Sequence, residues 1–184
     1  MNKTRVYLFT GFLESGKSSF IQDTLLEQGF GEDEKTLIIA CEEGEVAFDI
    51  PALEKENASV EFIENEEDLN YETLLHLHQK YQPTQVMIEY NGMWKVSDFE
   101  NMKLPKGWGI EQKITTVDAS TFQTYLTNLK PLFVEMVRGA EMVLFNRCED
   151  IKPLAGYRRS VKVVSPQAEV IFEDEQGEVE NIFE

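Results

Sequence analysis

Gly11 to Ser18 read G-F-L-E-S-G-K-S, which satisfies the spacing G-x-x-x-x-G-K-[ST] in full. Residues of these types at this spacing bind phosphate. The glycines permit a turn whose successive backbone N–H groups point inward at a β-phosphate, Lys17 reaches the β and γ oxygens, and the Ser18 hydroxyl ligates Mg²⁺. Three further stretches carry polar groups suited to the same chemistry. In Cys41 to Asp49, C-E-E-G-E-V-A-F-D, an acid such as Glu42 is placed to approach Mg²⁺ or an attacking water. In Met87 to Gly92, M-I-E-Y-N-G, Glu89 can hold Mg²⁺ through water or orient a nucleophilic water, and Gly92 can offer its N–H to a γ-phosphate. In Asn146 to Asp150, N-R-C-E-D, a carboxylate can accept from guanine N1 and N2, a pair of donors that adenine lacks. The plain alternatives are a solvated acidic loop for the first and a surface glutamate in a turn for the second.

These groups need a scaffold that brings them to one place. Thr4 to Thr10 is a β-branched and aromatic run that reads as a buried strand, and Ser19 to Gln28 has helical spacing at Phe20, Ile21, Leu25 and Leu26. Strand, loop and helix therefore follow in the order an anion site requires, with the positive end of the helix dipole facing the phosphate. Further strands are expected at Thr36–Cys41, Ser59–Glu64, Gln85–Glu89, Gln112–Asp118 and Glu141–Asn146, with closing strands at Val161–Val164 and Val170–Phe172. Helices are expected at Glu66–Tyr81 and Ser120–Arg138. The alternation predicts an α/β fold, a three-layer sandwich around a mainly parallel sheet, in which ligands bind beyond the carboxyl ends of the strands. Residues 1–172 are expected to form one nucleotide-binding domain, and 173–184 an acidic tail that begins a further C-terminal region.

The 184 residues hold 34 acidic against 17 basic side chains, a formal net charge of −17. That field disfavours nucleic acid and anionic membranes as partners, so the phosphate must be attracted locally by Lys17, the loop amides and Mg²⁺. No apolar run is long enough to insert into a membrane, and two cysteines, Cys41 and Cys148, fit a reducing cytoplasm. His76 and His78, two apart on an expected helix, point to different faces and do not read as a ligand pair.

The motifs, taken together and in order, resemble the CobW-type GTPases, relatives of the hydrogenase and urease nickel-insertion GTPases. Thr10 to Ser19 is similar to that family's T-G-F-L-G-A-G-K-T-T, Cys41 to Asp49 to its N-E-F-G-E-V-G-I-D, and Ile88 to Gly92 to its I-E-x-x-G. Val117-Asp118-Ala119 corresponds to V-D-A, Asn146 to Glu149 to N-K-x-D, and Ser165 to Ala168 approximates N-P-x-A. The resemblance implies that Gly11, Glu14, Ser15, Gly16, Lys17, Ser18 and Ser19 grip the phosphates of GTP. It implies Mg²⁺ at Ser18 with Glu42 and Glu89, catalysis through Lys17 and Glu89, and a γ-phosphate sensor at Gly92. Asn146 and Glu149 would read the base, with Ser165 and Gln167 packing around it, and Glu42 to Asp49 would be the switch.

The departures are specific. The family's metal-binding C-x-C-C is missing from the region Ser59 to Leu69, so no soft thiolate site for Zn²⁺ or Cu⁺ forms there. Arg147 replaces the usual lysine, and Glu149 the usual aspartate. No arginine finger stands out, so slow turnover is expected, raised by a protein client or by homodimerisation across the nucleotide face. Two other readings share the fold: a nucleotide-controlled binding module with little hydrolysis, and an ATP-dependent kinase or ATPase.

Overall fold

A computed structural model describes residues 3–44 and 46–183; Glu45 of the acidic segment and the terminal Glu184 lie outside the described residues. The chain opens with β1 (Thr4–Thr10), whose alternate residues face opposite ways. Val6 and Leu8 enter one buried cluster, and Tyr7 and Phe9 the other. Both faces of this strand are therefore covered, which accounts for its nearly continuous apolar sequence. After the phosphate loop come α1 (Lys17–Leu26), β2 (Thr36–Ala40), α2 (Ile50–Lys55) and β3 (Ala58–Phe62). Next are α3 (Tyr71–Tyr81), β4 (Gln85–Glu89), α4 (Val96–Glu100) and β5 (Trp108–Asp118). The chain continues through α5 (Phe122–Asn128), α6 (Lys130–Arg138), β6 (Met142–Asn146), α7 (Ala155–Val164), β7 (Glu169–Asp174) and β8 (Gly177–Glu178).

Among the described residues the sheet has eight strands in the order β3-β2-β4-β1-β5-β6-β7-β8, parallel except for the β7–β8 pair. Side chains of α1 and α2 pack on one face, with Ile21, Leu25 and Leu53 buried there. Helices α3 to α7 cover the other through Leu74, Phe99, Phe122, Phe133 and Val161. Burying such side chains contributes roughly 1.5–3 kcal/mol each. No helix among the described residues is long and apolar enough to cross a membrane.

Several elements depart from expectation for identifiable reasons. The helix expected over Ser120–Arg138 is two helices, α5 and α6, broken at Leu129; Pro131 lies in the first turn of α6, where its missing N–H costs nothing. The helix expected from Glu66 starts at Tyr71, where the Asn70 side chain accepts from Thr73 N at 3.0 Å, and only a 3₁₀ turn occupies Glu66–Asp68. The strand expected at Val161–Val164 is the last turn of α7. Val161 is buried while Val163 is 84 % exposed, so packing of one helical face outweighs the extended preference of β-branched residues. The tail also packs: Val179 and Ile182 lie against the core, and Leu154 N and Ala155 N donate to Ile182 O.

Register sets up the site. Phe9 and Ala40 both pair with Glu89, Thr10 with Thr115, and Asp118 with Asn146, so the carboxyl ends of five strands form one row.

Candidate functional site

The phosphate loop runs from Gly11 to Gly16 and is held from several sides. Gly11 has φ +145°, and a Cβ there would lie 2.4 Å from Ser15 Oγ and 2.6 Å from Thr116 O. Gly16 has φ +96°, and a Cβ there would lie 2.5 Å from Asn146 Nδ2. Glycine is required at both positions by the backbone conformation and by space. Ser15 Oγ shares a 2.8 Å hydrogen bond with Thr116 Oγ1, and Thr10 Oγ1 another with Thr115 Oγ1. Asn146 Nδ2 donates to Ser15 O at 2.7 Å, and Arg147 Nη1 donates to Glu14 O at 3.1 Å. The Arg147 guanidinium is itself fixed by Asp118 at 2.5 Å. Thr115, Thr116 and Arg147 were not read from sequence as parts of the loop's support; two adjacent threonines at the end of a buried apolar strand were the available signal.

At the first turn of α1, Lys17 is buried and its ammonium donates to Gly11 O at 2.7 Å and Phe12 O at 3.0 Å, and pairs with the Glu42 carboxylate. Burial pulls this ammonium below its usual range, and the charge and hydrogen bond of Glu42 oppose that shift. Ser18 Oγ donates to Glu89 Oε2 at 2.7 Å. Burial raises the Glu89 carboxyl above the usual carboxylate range, while the Ser18 hydrogen bond and the Lys17 charge act in the other direction. Gly92 N donates to Glu42 Oε2 at 3.1 Å, and a Cβ on Gly92 would lie 2.5 Å from Gly11 O. Glu42, expected beside the metal, bridges Lys17 and Gly92 in this ligand-free structure, where the desolvated ammonium attracts the carboxylate. The small cleft bounded by these groups is also lined by Glu14, Ser19 and Gly44.

The acidic segment is tied at both ends. Cys41 N donates to Glu89 O at 2.9 Å and Cys41 O accepts from Asn91 Nδ2 at 3.2 Å. At the other end, Gln22 of α1 donates to Ala47 O at 3.2 Å and accepts from Asp49 N at 2.8 Å, while Asp49 caps α2 through Ala52 N.

The base side is less complete. Asn146 Oδ1 is buried with no hydrogen-bond partner among the described residues, leaving an acceptor next to the phosphate loop. Glu149 lines a neighbouring cleft of about 440 Å³ between the loop after β6 and the end of β7 with the turn that follows, including Asp174 and Gln176. Ser165 and Gln167, expected around the base, are not there. Ser165 Oγ donates to Ala140 O at 3.2 Å, and Glu169 N donates to Glu141 O at 2.9 Å, which puts Ser165 to Ala168 beside the residues that precede β6. Since β7 runs parallel to β6, the segment before it lies at the amino ends of the strands, opposite the phosphate loop. The segment after β7 occupies the place first given to it.

The oxygen donors of Ser18 and Glu89 suit a hard divalent cation, and a cation there would offset the burial of the Glu89 charge. No cluster of three or more His, Cys, Asp or Glu able to hold a metal occurs among the described residues.

The profile described as CobW/HypB/UreG, nucleotide-binding domain, matches residues 5–172. No curated protein matches the chain. Among solved structures, the chain is similar to the Zn(II)-bound YjiA GTPase from E. coli, with 22 % identity, 98 % of this chain and 60 % of that one covered, and a TM-score of 0.72. The hydrogenase maturation factor HypB from Archaeoglobus fulgidus is 17 % identical over 94 % of this chain and 82 % of that one, with a TM-score of 0.64. HypB from Helicobacter pylori, in complex with nickel, is 14 % identical over 93 % and 79 %, with a TM-score of 0.59. These identities speak to the shared fold.

Proposed function

The chain belongs to the CobW/HypB/UreG nucleotide-binding family, and from that premise we propose that it is a Mg²⁺-dependent GTP switch with slow intrinsic hydrolysis, working on a protein client in the cytoplasm. The observation that carries the reading is the convergence of Lys17, Ser18, Glu89 and Gly92 on the amino end of α1, beside a phosphate loop already held in shape. Lys17, the loop amides from Glu14 to Ser19 and the helix dipole bind the β and γ phosphates. Ser18 and Glu89 would hold Mg²⁺, which when bound neutralises charge on the phosphates. Glu89, whose carboxylate burial makes more basic than usual, positions the attacking water and accepts its proton.

Base selection is assigned to Asn146 and Glu149: Asn146 links the base side to the phosphate loop through Ser15, and Glu149 supplies the carboxylate that guanine needs. Residues 1–172 are the nucleotide-binding unit, with the tail packed onto it through Val179 and Ile182. The region where the family carries thiols, Ser59 to Leu69, has no cysteine here, so a soft metal bound by thiolate at that point is left out of the proposal. Calorimetric titration of nucleotide-free protein with Mg²⁺·GTP and Mg²⁺·ATP, with and without Zn²⁺, tests the reading. Selective GTP binding that Glu149→Ala erodes by about 1–3 kcal/mol is expected. Selective ATP binding would overturn it, and coupling to Zn²⁺ would restore metal delivery as the task of the switch.

A further inference from the structure

Glu42 makes contacts that the proposed function does not require of it. Its carboxylate pairs with Lys17 and accepts from Gly92 N–H at 3.1 Å, so one anion spans two donors that belong to different elements. The Lys17 and Glu42 side chains are 2 % and 8 % exposed, and the contact is thus made inside the protein rather than across solvent. Gly92 is pressed against the loop, since any Cβ would meet Gly11 O at 2.5 Å, and its amide therefore reports on the space directly above the phosphate loop. An anion in contact with the loop lysine and with this amide has the charge and the acceptor geometry of a terminal phosphoryl group.

We infer that Glu42 is an internal competitor of the γ-phosphate: its carboxylate holds the γ position in the nucleotide-free protein, a triphosphate must evict it, and a diphosphate need not. The inference rests on the roles given above to Lys17 and Gly92. It explains how a buried ammonium persists without ligand. An uncompensated charge in that position is strongly destabilising, and Glu42 is the counter-ion that keeps the empty loop in its binding shape. The backbone before Glu42 stays in place during the exchange, because Cys41 N is bonded to Glu89 O; the Glu42 side chain leaves while β2 remains paired. Once the γ-phosphate departs, the carboxylate returns to Lys17 and Gly92 over the bound diphosphate. Glu42 thereby sets the ratio of triphosphate to diphosphate affinity, which is the quantity a nucleotide switch depends on. If the open arrangement is populated at about 10 %, apparent triphosphate affinity is lowered about tenfold.

The test measures binding of a non-hydrolysable GTP analogue and of GDP, both with Mg²⁺, to nucleotide-free parent, Glu42→Gln and Glu42→Ala proteins by calorimetry, with thermal melts of each to establish folding. The expected result is a gain of about tenfold for the triphosphate that clearly exceeds any gain for GDP, larger for Glu42→Ala than for Glu42→Gln. Glu42→Asp, too short to span both donors, should move the ratio in the same direction and keep a charge at the site if the alanine variant folds poorly. Unchanged or weakened triphosphate binding in the variants, with the parent binding normally, overturns the competitor role and returns Glu42 to the metal or to the solvent. A parent that binds neither nucleotide overturns the phosphate-loop reading together with it.

Discussion

The phosphate loop and the acidic segment facing it are held in opposite ways. The loop is fixed by the Thr116 hydroxyl, the Asn146 amide and the Arg147 guanidinium, none of which a ligand has to displace. At the functional end of the acidic segment, beyond the backbone bonds of Cys41, the side-chain hold is Glu42, on the two donors that a triphosphate would take. The difference separates grip from response. Binding groups in their final geometry lower the ordering cost of association, whereas a contact that the ligand replaces turns the same binding event into a signal.

Lys17→Ala breaks both sides of this comparison at once and should have the largest effect. Losing a buried charge-assisted partner costs about 2–5 kcal/mol, so nucleotide affinity should fall at least ~30-fold in a titration. The nucleotide-free protein should also lose about 3–5 kcal/mol of stability, since Glu42 is left buried without a counter-charge. Adding Glu42→Ala should recover the stability in denaturant melts and leave binding absent; recovery of binding would mean that Lys17 is not the grip.

Glu89→Gln sharpens the contrast between binding and chemistry. Hydrolysis should fall about 100-fold with affinity within a few-fold of the parent, measured by single-turnover phosphate release and by titration. The same variant carries a pH signature. A carboxyl whose folded pKa is raised gives stability that is present at low pH and is lost as pH rises through the folded value. The melting temperature of Glu89→Gln should therefore gain on that of the parent as pH rises from the acid range to neutrality. A constant difference would show that burial does not raise the Glu89 carboxyl in the folded protein.

The smallest effect belongs to the loop's rear support. Thr116→Val removes the hydroxyl that meets Ser15 Oγ and should cost about 1 kcal/mol, roughly fivefold in affinity, with triphosphate and diphosphate affected alike. Unequal losses would place this contact on the responding side and weaken the division drawn above.

What could be read from the residues in advance follows the same line between local and distant information. The phosphate loop is contiguous, and its flanking strand is legible because Thr4 to Thr10 is apolar on both faces; β1 and β4 have the bounds their sequence suggests. Pairings across long separations left no local trace. Glu42 with Lys17, Asn146 with Ser15, and Thr116 with Ser15 depend on which strand ends meet, which follows from the sheet order. The misplacement of Ser165 and Gln167 has the same origin: their sequence resembles a motif, but the direction of β7 carries them to the far end of the sheet. Short helices such as α2 and α4 have too few residues for an apolar period to emerge.

The two flanks of the sheet also differ. At one side the two-residue β8 pairs with Glu173 and Asp174 at the end of β7, while at the other β3 presents its outer edge, with Glu61 on that strand engaged by Lys80 and Tyr81. Among the described residues the longer run of strand edge left unpaired is thus that of the five-residue β3. Two copies joined there would use up that edge of both. Pairing of β3 with its own copy would be a closed, two-fold contact, unlike the head-to-tail growth by which exposed strands become filaments.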